Sequence, residues 1–186
     1  MTTVAVVGGG PAGLSAALFT AKNGLDTVVF DTDQTWMHKA HLFNYLGIES
    51  VSGDEFMQTA RTQVTEFGVE QHQGEAVVDV ERDDDGGFTL TSGVDEYHAD
   101  YVVFATGANR DLPRELGCEV TDEGTIAVDV DMETSVDDAY ATGATARAEK
   151  WQAVIAAGDG GAAALDILSK ERGERFHDFD TPADVE

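Results

Sequence analysis

The first fourteen residues, MTTVAVVGGGPAGL, constrain the fold of this chain more than any other stretch. Residues 4–7 (Val-Ala-Val-Val) form a short apolar run of the kind expected in a strand buried on both faces. Gly8, Gly10 and Gly13 follow as G-x-G-x-x-G around Pro11 and Ala12, and residues 14–22 continue with helical character. Each glycine has a physical reason. The first permits a tight turn, the second lets a pyrophosphate approach the backbone, and the third lets the helix pack on the strand. The helix N-terminus then offers free N–H groups and a positive dipole end to an anion. Residues 26–30 read as the second strand, and Asp31 closes it 18 residues after Gly13, where an acid binds a ribose hydroxyl in this type of unit. Strand, glycines, helix, strand and acid in register predict a site for an adenine dinucleotide.

The 186 residues suffice for one domain with a sizeable core. An apolar fraction of 42% argues against disorder, although the formal charge is −25, with 36 acidic residues against 11 Lys and Arg. The acids are spread along the chain, a pattern that predicts a cytosolic, halophilic protein of haloarchaeal type whose acidic exterior stays hydrated in concentrated salt. Nucleic acid and anionic membranes are poor partners for such an exterior. No apolar run approaches the ~20 residues that span a bilayer. No basic segment precedes the apolar N-terminus, which argues against a signal peptide. A single cysteine, Cys118, excludes an internal disulfide and a C-x-x-C redox pair. His38 and His41 stand at i, i+3 without a third ligand nearby, so they read as loop residues near a cofactor, with no metal site.

The remainder is an interrupted α/β pattern. Ser52 and Glu55 form a capping-box signal opening a helix to about Phe67, with Phe56, Ala60, Val64 and Phe67 on one face. Residues 69–81 and 88–91 have strand composition around the turn signal at 83–87, and Tyr97 opens a possible third strand of a small antiparallel unit. Further strands are predicted at 101–105, 124–129 and 139–142, and a helix over 151–169. The expected fold is a Rossmann-like α/β domain over residues 1–172. Its parallel sheet uses strands at Val4, Thr27, Tyr101 and Ala139, and a polar, frayed tail follows over 173–186.

These residues, taken in order, resemble the FAD domain of the thioredoxin reductase family, within the FAD-dependent pyridine nucleotide-disulfide oxidoreductases. GGGPAGLSAAL resembles the FAD pyrophosphate motif. Asn44-Tyr-Leu-Gly47 resembles the family's Asn-x-Pro-Gly beside the flavin, and Ala105-Thr-Gly-Ala108 its Ala-Thr-Gly-Ala at the domain crossover. Residues 124–129, Thr134-Ser-Val136 and Ala141-Thr-Gly143 are similar to its C-terminal FAD segment. Trp151-Gln-Ala-Val154 resembles the start of its last helix, whose N-terminus faces the flavin pyrimidine. The resemblance implies FAD contacts from Gly8, Gly10, Pro11, Ala12, Gly13, Asp31, Asn44, Val77, Ala105, Thr106, Gly107, Gly143, Ala144, Trp151, Gln152 and Ala153. It also implies a homodimer.

The chain departs from the family in two places. The family carries an NADPH-binding domain with its Cys-x-x-Cys between the two FAD segments, but here about 15 residues separate Ala108 from Gly124. The family's Gly-Asp on the ribityl chain reads Gly143-Ala144, a loss implying about tenfold weaker FAD binding at ~0.5–1.5 kcal/mol per neutral hydrogen bond. Asp159, inside the last helix, is not expected to replace it. Cys118 lies among Arg114, Glu115 and Glu119 and reads as a structural thiol. Trp36, His38, His41 and Asn44 form a cluster that either stacks on and hydrogen-bonds the flavin or merely covers the core edge. Three functions stay open. They are a single-domain flavoprotein trading electrons with a separate donor or acceptor protein or a small acceptor, a non-catalytic FAD sensor or structural protein, and a small NAD-binding module.

Overall fold

The structure, a computed structural model, describes residues 1–93 and 95–181. In chain order its elements are β1 (Thr3–Val7), α1 (Pro11–Lys22), β2 (Asp26–Asp31), β3 (His41–Leu42), β4 (Val51–Ser52), α2 (Gly53–Glu66) and β5 (Glu70–Gln73). They continue with β6 (Val77–Arg82), β7 (Phe88–Ser92), β8 (Asp95–Ala99), β9 (Tyr101–Phe104), α3 (Asp111–Glu115), β10 (Ala139–Ala141) and α4 (Ala153–Arg172). Single turns of 3-10 helix occupy Trp36–Lys39 and Gly143–Thr145.

Five parallel strands form the central sheet in the order β10-β9-β1-β2-β5. The apolar run at 4–7 lies in its middle strand, and successive side chains serve opposite layers. Val4 and Val6 pack with Leu14, Ala17, Met57 and Ile167 beneath α1, α2 and α4. Ala5 and Val7 pack with Val80, Phe88, Leu90 and Ile126 beneath the antiparallel sheet β6-β7-β8. The result is three layers, helices over parallel sheet over antiparallel sheet, as the sequence predicts for a Rossmann-like domain with a small inserted β unit.

Three boundaries differ from the sequence expectation. The strand composition over 69–81 divides at Gly74 (φ 78°) into β5, which pairs in the main sheet, and β6, which belongs to the antiparallel sheet. The Gly74 amide donates to the Asp31 carbonyl, and this bond turns the chain from one sheet into the other. Residues 124–129 are not a strand. Their backbone makes single bonds to unrelated segments, from Ile126 N to Thr145 O and from Ala127 N to Glu119 O, while the fully buried Ile126 anchors them to the core. The last helix begins at Ala153, not Trp151, because Gln152 is its extended N-cap (φ −117°, ψ 141°), and it runs on to a left-handed cap at Gly173.

Two glycines and a capping serine explain how the helices sit. A Cβ at Gly160 would stand 2.0 Å from the Ala12 carbonyl oxygen, so α4 crosses α1 with backbones in contact. A Cβ at Gly53 would stand 1.8 Å from the Met37 carbonyl oxygen, which fixes the entry of α2. Ser52 Oγ accepts from Glu55 N at 3.2 Å, the expected N-cap of α2. Beyond α4, Asp178 accepts from Lys22 Nζ (2.6 Å) and Asn23 Nδ2 (3.3 Å), tying residues after the helix to the end of α1. The last part of the predicted tail, 182–186 with Pro182, lies outside the described residues.

Candidate functional site

All five parallel strands point their carboxyl ends to one edge, and the singled-out residues collect there. Gly8 follows β1, Asp31 ends β2, Ala105, Thr106 and Gly107 follow β9, and Gly143 and Ala144 follow β10. The strand order reverses direction at β1, which makes this edge the crevice where open α/β sheets take ligands.

At the glycine loop, Gly8 has φ 113°, and a Cβ there would lie 2.2 Å from the Ala105 carbonyl oxygen. A Cβ at Gly13 would lie 1.8 Å from the Gly8 carbonyl oxygen. The protein's own backbone therefore requires both glycines. Gly10 is different. It has an ordinary φ of −79°, and the nearest neighbour of a Cβ there is Thr35 Oγ1 at 3.6 Å. Among the described residues, nothing comes closer than that ordinary contact distance to the place of the missing side chain. Beside it α1 starts with Pro11 at its first turn, no acidic residue in that turn and no side-chain cap. This is a cradle with free donors at a positive dipole end, and it fits a diphosphate.

Asp31 is 4% exposed and lies under the loop, where a Cβ on Gly9 would stand 2.4 Å from its Oδ2. Its carboxylate is more committed than the sequence suggests. Oδ1 accepts from the Asp33 amide at 3.0 Å and Oδ2 from Arg61 Nη2 at 2.9 Å. The same guanidinium donates to Asp33, which also meets His38 Nε2, and His38 Nδ1 meets Asp54. Asp33 is held below the usual carboxylate range by Arg61 and then by His38, and His38 is pushed up by Asp54 and then by Asp33. The Asp31 carbonyl holds the turn at Gly74 and Glu75, which brings the buried Val77 at the start of β6 to this end of the site. No spacing signal in the sequence links Arg61 to Asp31.

At the other end, one guanidinium joins the loops after β9 and β10. Arg110 donates to the carbonyls of Ala108 (3.2 Å), Thr145 (3.0 Å), Ala144 (2.6 Å) and Arg147 (3.4 Å). Asp159, 5% exposed, points from α4 into the same loop and accepts from the Gly143 amide at 3.2 Å. Its carboxylate also takes Arg147 side-on, Nε at 2.7 Å and Nη2 at 2.6 Å. The sequence reading gave neither Arg147 nor Asp159 a place in the site.

Asn44 and residues 151–153 meet across the far edge. Asn44 Nδ2 donates to Gln152 Oε1 at 2.7 Å, and Trp36 contacts Trp151 edge-to-face with ring centres 5.3 Å apart. Trp36 is 70% exposed, while its neighbour Met37 is buried in the core. Trp151 Nε1 donates to the Arg147 carbonyl, linking this clasp to the β10 loop. His38 and His41 engage other partners: His38 is bound to carboxylates, and His41 stacks on Phe43 and meets Ser50. Cys118 is buried, its thiol pushed up by burial, and it donates to Thr134 Oγ1 at 3.4 Å, consistent with a structural thiol.

Comparison with known proteins fits this geometry. The family model for pyridine nucleotide-disulphide oxidoreductases matches residues 2–51 and 44–161. The chain is 31% identical over 125 residues to the thioredoxin reductase of Listeria monocytogenes, which covers 64% of this chain and 37% of that protein. It is 27% identical over 123 residues to the ferredoxin–NADP reductase of Lacticaseibacillus paracasei, covering 62% of this chain and 38% of that protein. The matched region thus spans well under half the length of these relatives. Among solved structures, the atypical thioredoxin reductase of Desulfovibrio vulgaris Hildenborough superposes with a TM-score of 0.85 at 18% identity, covering 94% of this chain and 99% of that one. The match to the family model takes in the glycine loop, Asp31 and the loops after β9 and β10, and the chain belongs to the pyridine nucleotide-disulphide oxidoreductase family.

Proposed function

We propose that this chain is a single-domain FAD-binding flavoprotein that exchanges electrons with a separate protein or small acceptor and lacks a nicotinamide domain of its own. The observation that carries the reading is the open space over Gly10 at an uncapped, acid-free helix N-terminus, on the edge where the loops after β1, β9 and β10 meet. On this reading Gly8 to Gly13 cradle the diphosphate, and Asp31 and Val77 border the adenosine. Ala105, Thr106, Gly107, Gly143 and Ala144 line the middle of the cofactor, and Asn44, Trp151, Gln152 and Ala153 border the ring system. FAD bound there would supply reversible one- and two-electron chemistry. The N-terminus of α4 at Gln152 is suited to stabilise negative charge at the ring's pyrimidine end.

The segment between the two halves of the site supports the absence of a middle domain. Residues 109–123 fold as a short connection containing only the five-residue α3, and Arg110 bonds to carbonyls on both sides of it. The exposed Trp36, Phe43, Leu46 and Trp151 are consistent with a partner, or a second copy of this chain, covering that region. The acidic composition supports a halophilic protein.

The test is a flavin spectrum of the purified protein in high salt, followed by anaerobic stopped-flow reduction. The two tryptophans of the chain stand together at the far edge, so FAD binding should quench their emission. Chemical reductants should bleach the flavin, whereas NADH and NADPH should do so slowly and without saturation. Hydride transfer needs the reacting atoms held about 3–3.5 Å apart, and no nicotinamide domain does that here. Rapid, saturable bleaching by either nucleotide would overturn the proposal.

A further inference from the structure

Asp159 is the only charged residue among those that α4 buries. Its carboxylate accepts from the Gly143 amide and from two N–H groups of Arg147. Side-on pairing through Nε and Nη2 fixes the plane of a guanidinium. The remaining N–H donors of Arg147 are directed away from the carboxylate, on a side chain that keeps 35% of its area exposed.

The backbone that carries this pair lies against the first turn of α1 at two points. A Cβ on Gly143 would stand 3.3 Å from Ala12 Cβ, and Gly160, the neighbour of Asp159, touches the Ala12 carbonyl. Ala144 brings no side-chain acceptor to the loop, and three N–H groups already engage the Asp159 carboxylate, so the side chain of the pair with most hydrogen-bonding capacity left over is the donor, Arg147. Donors grouped at a positive dipole end suit an oxyanion better than a sugar hydroxyl. In molar salt the screening length falls to about 3 Å, which mutes the distant charges of the chain, so a cation acts on the phosphates only in direct contact.

We propose that Arg147, locked by Asp159, is a diphosphate-binding residue that donates to a phosphate oxygen of the dinucleotide held at the start of α1. The inference rests on the dinucleotide reading above but concerns the nucleoside diphosphate part alone, so the two can fail separately. The full chain is purified without flavin, and the binding of FAD, ADP and adenosine is measured for the parent, R147Q, R147K, D159N and the double variant, with melting curves to establish folding. R147Q should weaken FAD and ADP about 10-fold or more, the range for a hydrogen bond to a charged group, and leave adenosine unchanged. R147K keeps the charge without the fork and should fall between parent and R147Q. D159N should weaken ADP less than R147Q, and the double variant should be no worse than R147Q. Equal ADP affinity in the parent and the Arg147 variants, whatever FAD does, would overturn the role. If the folded parent binds ADP but not FAD, and R147Q still weakens ADP, the flavin reading fails and the role of Arg147 stands.

Discussion

Gly8, Gly10 and Gly13 share one motif but answer to different constraints, and substitution should separate them. An added Cβ at Gly8 or Gly13 runs into a backbone carbonyl at 2.2 or 1.8 Å, and Gly8 also has a positive φ. Gly8→Ala and Gly13→Ala should therefore each lower stability by about 1–3 kcal/mol or more, the range for overpacking a rigid site. A Cβ at Gly10 meets nothing closer than a threonine hydroxyl at 3.6 Å, so Gly10→Val should melt close to the parent when both are free of flavin, while FAD binding is lost. A Gly10→Val protein that keeps its flavin would refute the assignment of this loop to the diphosphate. His38 makes a pH-dependent contribution. Held between Asp54 and Asp33, with Arg61 beyond Asp33, its imidazole is pushed above the ordinary 6.5. Its raised native value means that its stabilising contribution is complete below 6.5 and fades as the pH rises through the native value. The parent should lose stability relative to H38Q over that window, and superimposable pH profiles would rule the contribution out.

Helix α2 offers a test at the scale of an element. Ser52 Oγ caps it through Glu55 N, so Ser52→Ala should cost about 1 kcal/mol in denaturant unfolding with an unchanged slope. That cap was legible in the sequence because donor and acceptor lie three residues apart, and β1, α1 and β2 were legible because each signal is local. The division of residues 69–81 between two sheets was not. It depends on Gly74 donating to Asp31, a bond between distant segments. Residues 124–129 have strand composition but no neighbouring strand to pair with along their length, and composition cannot reveal a missing partner. The site shows the same limit. Arg61 reaches Asp31 across 30 residues and Asp159 reaches Gly143 across 16, with no motif joining either pair. Asn44 and Gln152 meet across 108 residues, and only the family resemblance, not any local signal, brought both into view.

Charge acts on the whole molecule. With 36 acids against 11 basic groups, the cations present are shared. Lys22 serves Asp178 and Asp180, Arg61 serves Asp31 and Asp33, and Lys170 serves Glu133 and Asp138. Other carboxylates crowd together, as at Asp83, Asp84 and Asp85 in the turn between β6 and β7. Unfolding spreads like charges apart, so low ionic strength should favour the unfolded chain. Each kcal/mol lost lowers the melting temperature of a domain this size by about 2–4 °C. The shape of the salt response identifies the cause. General repulsion is largely screened once the Debye length falls to about 8–10 Å, near 0.1–0.15 M salt, so most of the recovered stability should appear by a few tenths molar. Sucrose, which strengthens burial without screening charge, should not reproduce that early rise. A melting temperature that stays flat between about 0.01 and 0.5 M NaCl would show that the shared ion pairs already balance the acidic excess, and that repulsion sets no limit on the stability of this fold.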